Sequence, residues 1–150
     1  MKKKQIPGSH CKKQKIIPES SRGQFNNRRP IWRFDLLDRD GLFSFDISRK
    51  DFDIKLVFEK LIDYGNMSWF EIIKQTHDAK NKTKHHFLEY SSLSKEAIER
   101  IRIKKFEEHT DEIFSFALNN KVRIIGLRFN DEFHIVWYDP KHEFCPSSKD

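Results

Sequence analysis

The chain has 150 residues and a formal net charge of +6 at pH 7, and 35% of its residues are charged. A chain of this length is expected to form a domain that buries its own core without disulfide bonds. No run of about 18 apolar residues occurs, which argues against a membrane-spanning helix, and the lysine-rich N-terminus lacks the apolar segment of a secretory signal. Two cysteines, Cys11 and Cys145, lie far apart in the chain and indicate a reducing cytoplasm rather than a disulfide framework.

The positive charge is concentrated near the N-terminus. Residues 1–33 contain ten Lys or Arg and one acid, whereas the other 117 residues contain 19 basic and 22 acidic side chains. Residues 1–28 lack periodicity and are predicted to be a disordered basic arm, followed by a single domain over residues 29–150. Such an arm either solubilises the protein, neutralises the phosphates of RNA or DNA, or binds an acidic protein. The residues expected to contact nucleic acid are Lys2, Lys3, Lys4, Lys12, Lys13, Lys15, Arg28 and Arg29.

A β-hairpin is predicted at the start of the domain. Apolar residues alternate with polar ones in residues 32–36 and again in residues 43–47. The segment between them, Asp38-Arg39-Asp40-Gly41, has the composition of a turn. Two antiparallel strands are therefore expected before the first helix.

Three helices are predicted next, each introduced by a serine. Ser48 and Ser68 are each followed three residues later by an acid and resemble capping boxes, and Ser94 caps the third helix. A Glu96–Arg100 ion pair is expected on the outer face of that third helix. The apolar residues at helical spacing are Ile54, Val57, Phe58 and Leu61 in the first helix, Trp69, Ile72 and Ile73 in the second, and Ala97, Ile98 and Ile101 in the third.

Residues 111–146 carry the clearest pattern in the chain. Three alternating segments are joined by Asn119-Asn120 and Asn130-Asp131, which are residues that tolerate the positive φ of two-residue turns. This pattern predicts an antiparallel meander. The element order predicts an α+β fold in which helices cover one face of an antiparallel sheet. Phe133, Ile135 and Trp137 are expected on one face of the last strand, and His134, Val136 and Tyr138 on the other. The predicted core includes Trp69, Phe116, Ile125, Phe133, Ile135 and Trp137.

The first candidate for chemistry is Lys84-His85-His86, in or just after the polar loop of residues 77–86. Two imidazoles beside a lysine are suited to proton transfer and to phosphate binding near neutral pH. Adjacent residues of a strand point in opposite directions, so one histidine at most is expected to face a given site. The alternative is a solvated loop in which the histidines have no role.

The second candidate is the predicted polar face of the meander with the segment that follows it. Metal-free cleavage of RNA needs a base for the 2′-hydroxyl proton, a cation near the phosphate and an acid for the leaving oxygen. Arg123, His134, Tyr138 and His142 are side chains of the required types. Simple alternation places Arg123 at the rim of the apolar face, so its alternative role is a peripheral ion pair.

The sequence gives little support for a metal site or a nucleotide site. His142 and Cys145 could ligate zinc together with His10 and Cys11, but the paired spacing of zinc modules is missing. The five glycines form neither a P-loop nor a dinucleotide fingerprint. The sequence therefore predicts no metal and no cofactor.

Several segments resemble a family of small bacterial proteins of uncharacterised activity. The resemblance covers Met67 through Pro146, over half of the chain, and implies no activity. Its pieces are MSWFEI (67–72), KHH (84–86), LSKEA (93–97), DEIFSF (111–116), RIIG (123–126) and the fairly specific VWYDPKHEFCP (136–146).

A second resemblance is architectural. Helices followed by a three-stranded meander, with RIIGLRFNDEFHIVWYD (123–139) as its middle and final strands, are similar to the RelE/ParE-like toxins of bacterial toxin–antitoxin pairs. Members with ribonuclease activity cut mRNA with basic residues and a tyrosine near the sheet. The resemblance implies corresponding roles for Arg123 and Tyr138, with Lys84 and the histidines as additions. The third helix, the initial hairpin and the basic arm depart from the small toxins.

Two function classes remain after these observations. One is an RNA-binding protein that acts as a metal-independent endoribonuclease of the toxin type, with Lys84, His85, His86, Arg123, Tyr138 and His142 as its catalytic residues. The alternative is a non-catalytic module that binds nucleic acid or protein through its basic arm. The expected partners are RNA or the ribosome and an antitoxin-like protein, and no membrane partner is expected. Convergence of the histidines and Tyr138 in one concave site distinguishes the enzyme from the binding module.

Overall fold

The computed structural model describes residues 23–77 and 82–146. Its elements are β1 (Ile31–Arg33), α1 (Ile54–Gly65), α2 (Trp69–Lys74), β2 (His86–Phe87), α3 (Lys95–Ile103), β3 (Ile113–Ala117), β4 (Arg123–Phe129) and β5 (Glu132–Asp139), with 3₁₀ turns at Tyr90–Ser92 and Glu107–Glu112. The strands form a five-stranded mixed sheet in the order β1-β5-β4-β3-β2. The predicted α+β class is confirmed.

The C-terminal meander is also confirmed. Strand β4 pairs antiparallel with both β3 and β5. The β4–β5 turn has Asn130 at a φ of 62°, the left-handed conformation expected of its sequence. The β3–β4 connection is longer than the predicted two residues. The side chain of Asn119 holds it by accepting the backbone N–H groups of Lys121 and Val122.

The predicted N-terminal hairpin is wrong. Strand β1 pairs parallel with β5 at the edge of the sheet. Residues 43–47 contain no strand, and their one bridge joins Ser44 to Trp137. Phe43 and Phe45 instead enter two different hydrophobic clusters, so this segment is a loop that fills both sides of the sheet. The apolar residues that alternate in this segment are those of a buried loop, and this is why the pattern resembled a strand.

Both faces of the sheet are buried, whereas the sequence predicted one covered face. Helices α1 and α2 pack on the first face, through residues that include Leu61 and Trp69. Helix α3 packs on the second face through Ala97 and Ile101, together with Phe144 from the segment after β5. All five residues of β3 are consequently buried. Such continuous burial is typical of a strand that lies between two layers.

A β-bulge in β5 explains the error in the predicted strand faces. Ile125 pairs with Trp137 and the next residue of β4, Gly126, pairs with Ile135, so Val136 is an extra residue. An extra residue reverses the faces of all residues after it. Ile135 therefore lies in the first cluster and Trp137 in the second, although they are two residues apart. All six residues predicted for the core are nonetheless buried.

Side-chain caps fix the beginnings of the three helices. The capping box of Ser68 and Glu71 is confirmed, and so is the cap of Ser94, which accepts the Ala97 N–H. The predicted Ser48 cap is wrong, because Asp53 caps α1. Ser48 instead bonds Asp46 in the preceding loop. Within residues 23–77 and 82–146, no helix has the length and apolar character needed to cross a membrane.

Asp38 links α3 to the sheet. The predicted Glu96–Arg100 pair is replaced by a bidentate pair, in which the Arg100 Nε and Nη2 atoms lie 2.9 Å and 2.8 Å from the two Asp38 oxygens. The same carboxylate accepts the Trp137 indole N–H at 2.9 Å. These hydrogen bonds outweigh burial and lower the pKa of Asp38, so the buried acid stays ionised.

The end of the predicted basic arm contacts the folded body. The carbonyls of Asn26 and Arg28 accept the Phe70 and Trp69 N–H groups, the first donors of α2. Residues 1–22, which include the six predicted contact residues Lys2, Lys3, Lys4, Lys12, Lys13 and Lys15, lie outside the described residues. The arm prediction for that stretch therefore stays a prediction, whereas residues 23–28 are hydrogen-bonded to α2.

Candidate functional site

Strand β2 brings Lys84, His85 and His86 to the edge of the sheet beside β3. It has two residues, of which His86 pairs with Ser115. His86 is exposed and Lys84 is half-buried, but His85 is completely buried. The segment is therefore not simply a solvated loop. As alternation predicts, only one of the two adjacent imidazoles reaches the surface.

His85 has a structural role in the sheet. Strand β2 does not extend to the position opposite Ala117. The backbone N–H of Ala117 therefore has no strand partner, and it donates to His85 Nδ1 at 3.0 Å. That bond requires an unprotonated Nδ1, so Nε2 carries the proton and donates to Gln75 Oε1 at 2.8 Å. The Tyr64 hydroxyl donates to the carbonyl of the same residue, Ala117, at 2.7 Å. Both ring nitrogens of His85 are thus occupied.

Burial lowers the pKa of His85 to about 3, and the positive charges of Lys84, His86 and Arg123 act in the same direction. A neutral imidazole with both nitrogens bonded inside the protein neither accepts nor donates a proton for a bound substrate at neutral pH. His85 positions β2 and its neighbour His86.

Arg123 is the first residue of β4 and pairs with Ala117 of β3. Its side chain is 7% exposed, and its Nη1 donates to the carbonyls of Asn119 and Val122 at 2.8 Å and 3.1 Å. Its pairing partner in β5 is Asp139. The predicted peripheral position is therefore wrong. Burial lowers the pKa of the guanidinium, while Asp139 and Tyr64 oppose this shift.

The segment after β5 holds His142 over the same end of the sheet. The buried Asp139 carboxylate accepts the backbone N–H groups of Glu143 and Phe144, each at 2.9 Å. This short loop places His142 at a φ of 59°. Asp139 thus folds the segment as well as ending the strand, and burial raises its pKa despite these two hydrogen bonds.

We group His77, His86, Arg123 and His142 as the histidine cluster, because the charges of Arg123 and His77 act on both His86 and His142. Although His86 is exposed, desolvation by the protein around its ring lowers its pKa, and the charges of Arg123, His142 and His77 lower it further. Burial likewise lowers the pKa of His142, with Arg123 and His77 contributing. Both imidazoles are thus biased toward the neutral form, which accepts a proton at pH 7. His77 was not singled out in the sequence, because nothing in the polar loop marked it.

Tyr138 is not part of the histidine cluster. It is completely buried in the first cluster of the core. Its hydroxyl donates to the Asp51 carbonyl at 2.8 Å and accepts the Asp53 N–H at 3.0 Å, just before α1. Burial raises its pKa. The bulge in β5 turns this side chain into the core, and the sequence contains no mark of that bulge.

The remaining predicted residues lie elsewhere. His134 is bound between Asp35 and Glu132, with nitrogen–oxygen distances of 3.0 Å and 3.4 Å. Arg28 and Arg29 are exposed at the junction with the arm. Within the part of the chain that the structure describes, no group of three or more His, Cys, Asp and Glu side chains could hold a metal ion. The partner residues His10 and Cys11 of the zinc alternative lie outside it.

Comparisons with known proteins add no assignment. No family model matches the chain, and no match is found among curated proteins or solved structures. The function of the histidine cluster therefore has to be argued from its chemistry.

Proposed function

We propose that the protein binds RNA and that the histidine cluster meets a phosphate group of the bound strand. The observation that supports this is that the charges of Arg123 and His77 act on both His86 and His142, while Arg123 pairs in the sheet with Asp139, which folds the segment of His142. Imidazole N–H groups and a nearby guanidinium are suited to an anionic oxygen. The N-terminal residues 1–33, with ten basic side chains and one acid, supply long-range attraction to a polyanion.

Metal-independent RNA cleavage is the second step of this proposal. A neutral His86 or His142 takes the 2′-hydroxyl proton, the 2′-oxygen attacks phosphorus, and the bond to the 5′-oxygen breaks as that oxygen takes a proton from water. Lys84 and Arg123 counter the charge that develops on the phosphate. His85 and Tyr138 have supporting roles, since both are buried and hydrogen-bonded. The resemblance to RelE/ParE-like toxins implies this cleavage activity, and it also implies an antitoxin-like protein as a partner.

The alternative is a non-catalytic module that holds nucleic acid or a protein. It shares the basic arm and uses the histidines for contact only. The burial of Tyr138 in the core, away from the histidine cluster, favours this alternative, because the catalytic version calls for Tyr138 and the histidines in one site. The lowered pKa values of His86 and His142 suit the proton acceptor of the catalytic version.

Deletion of residues 1–22 is expected to weaken RNA binding and its salt dependence. The deletion removes seven Lys or Arg and one acid, but it retains the residues that contact α2. For single-stranded RNA the slope of log affinity against log salt should become shallower by about 0.7 per lost phosphate contact. Fluorescence anisotropy with a labelled RNA oligonucleotide measures both quantities. A variant with all arm lysines changed to arginine should keep the slope, and an unchanged slope after deletion would contradict the role of the arm.

The double substitution His86→Gln and His142→Gln should reduce cleavage by about 100-fold or more, the usual effect of losing acid–base catalysis. Binding should change little, because the cations remain. Cleavage of labelled RNA in EDTA is the measurement, and His109→Gln on the half-exposed 3₁₀ turn is the control. If the wild-type protein cuts no RNA either in EDTA or with Mg²⁺, the catalytic version is rejected and the binding module stands.

A further inference from the structure

A second surface of interest lies where the arm joins the body. The described residues 23–33 include Arg28, Arg29 and Arg33 and no acid. Their first turn lies against α2, since Phe70 donates its N–H to the Asn26 carbonyl at 2.7 Å. Phe25 is thus the residue before the one that accepts the Phe70 N–H. We call Phe25, Arg28, Phe70 and Lys74 the junction patch.

A buried arginine fixes this arrangement. Arg128 is 2% exposed and lies with its Cζ atom 4.1 Å from the centre of the Trp69 ring. Its Nη2 donates to the Asn26 side chain at 2.6 Å, and its Nε donates to the Asn130 carbonyl at 2.7 Å. The first turn is therefore joined to α2 and to the β4–β5 turn at once. The junction patch belongs to the folded body.

Each ring of the junction patch is accompanied by a cation. Phe70 is 53% exposed, and Lys74 Nζ lies 4.6 Å from its ring centre. Arg28 Cζ lies 5.2 Å from the centre of the half-buried Phe25 ring. Two acids beside the patch are already engaged, because Asp131 pairs with Arg28 at 3.6 Å and Glu71 closes the capping box of α2. The surface thus offers flat apolar faces and positive charge together.

Unpaired bases of a nucleic acid match that combination. A base stacks on an aromatic ring regardless of its identity, while adjacent Lys and Arg neutralise the phosphates. A cation over an exposed ring is held more weakly than a stacked base, so Lys74 does not block the Phe70 ring. Bases inside a duplex already stack on each other and are not free to use these rings.

We propose that the junction patch is a stacking site for unpaired bases of single-stranded RNA, with Phe70 as its principal platform. The inference rests on the proposed function in that it takes RNA as the ligand. The patch lies at the β4–β5 turn, whereas the histidine cluster lies at the opposite end of β4. Seven residues of strand at about 3.3 Å each separate them by roughly 20 Å. A strand that reaches both must therefore extend over about six stacked nucleotides.

The test uses the full-length protein, a fluorescein-labelled 12-nucleotide oligouridine and an RNA duplex of the same length. Phe70→Ala should lower affinity for the oligouridine by about 5-fold to 100-fold with an unchanged salt slope. Affinity for the duplex should stay within about twofold of wild type, because stacking on Phe70 needs unpaired bases. Lys74→Gln should instead make the salt slope shallower by about 0.7.

Phe58→Ala is the matched control, since Phe58 is 61% exposed on α1 and lies outside the junction patch. Thermal melts of both variants establish that they are folded. If Phe70→Ala binds the oligouridine as well as Phe58→Ala does, the stacking site is disproved although RNA binding stands. If the wild-type protein binds neither RNA, the proposed function fails as well, so the two failures are distinguishable.

Discussion

Replacement of Trp137 by alanine should lower the free energy of unfolding by about 3–5 kcal/mol, the range found when large aromatic residues are removed from a core. Trp137 is completely buried, and its ring centre lies 4.8 Å from that of Phe144 and 6.1 Å from that of Phe106. The substitution also removes the indole N–H that Asp38 accepts. Urea denaturation of the purified protein measures the change.

Two comparisons separate packing from hydrogen bonding at Trp137. Trp137→Phe keeps most of the apolar contact and deletes the donor to Asp38, so it should cost about 1–3 kcal/mol. Phe34→Ala removes a ring that is 50% exposed and should cost well under 1 kcal/mol, as is usual at the surface. A loss below about 1 kcal/mol for Trp137→Ala would show that this residue does not anchor the second cluster.

Stability should fall steeply on mild acidification because of His85. Its pKa is about 3 in the folded protein, against the ordinary histidine value of 6.5. Between these values the unfolded chain binds a proton that the folded protein does not, so stability is highest above pH 6.5 and declines as the pH falls toward 3. The limiting slope is about 1.4 kcal/mol per pH unit, which gives a loss of about 2 kcal/mol between pH 7 and pH 5.

Urea denaturation at several pH values between 5 and 7 tests this linkage. His85→Asn leaves an acceptor near the Ala117 N–H but removes the titrating ring, so its stability at pH 7 should be lower and its pH slope clearly flatter. His109→Asn, at a ring that is 45% exposed, should retain the wild-type slope. His86 and His142 also have lowered pKa values and contribute in the same direction, so a residual slope is expected in the His85 variant. Equal slopes for wild type and His85→Asn would contradict the structural role of this imidazole.

Local features were predictable from sequence, and features that depend on distant partners were not. The Ser68 capping box and the β4–β5 turn are set by a few neighbouring residues, so their patterns sufficed. The parallel pairing of β1 with β5 joins residues about 100 positions apart and leaves no local pattern. Asp38 is of a residue type common in turns, yet it is buried because Arg100 and Trp137 reach it from distant segments.

The candidate site shows the same division. The sequence grouped His85, His86 and His142 in one proposed site, and the charge of Arg123 lowers the pKa values of all three. Their shared role stays a prediction. Tyr138 was misplaced because period-2 alternation assumes a regular strand. The burial of His85 was missed because it depends on the backbone N–H of Ala117, which has no partner in a neighbouring strand and donates to His85 Nδ1. Neither a bulge nor an unpaired backbone group is visible in a residue pattern.

The bulge at Val136 also restricts which residue can occupy position 126 of the facing strand. The backbone of β5 comes so close to β4 at this point that a Cβ atom on residue 126 would lie 2.0 Å from the His134 carbonyl oxygen. No side chain can enter there while the extra residue is present. A descendant that lost Val136 would regain a regular ladder with every later side chain still on its present face, because the pairing on both sides of the bulge is unchanged. While the bulge persists, position 126 therefore has to remain glycine.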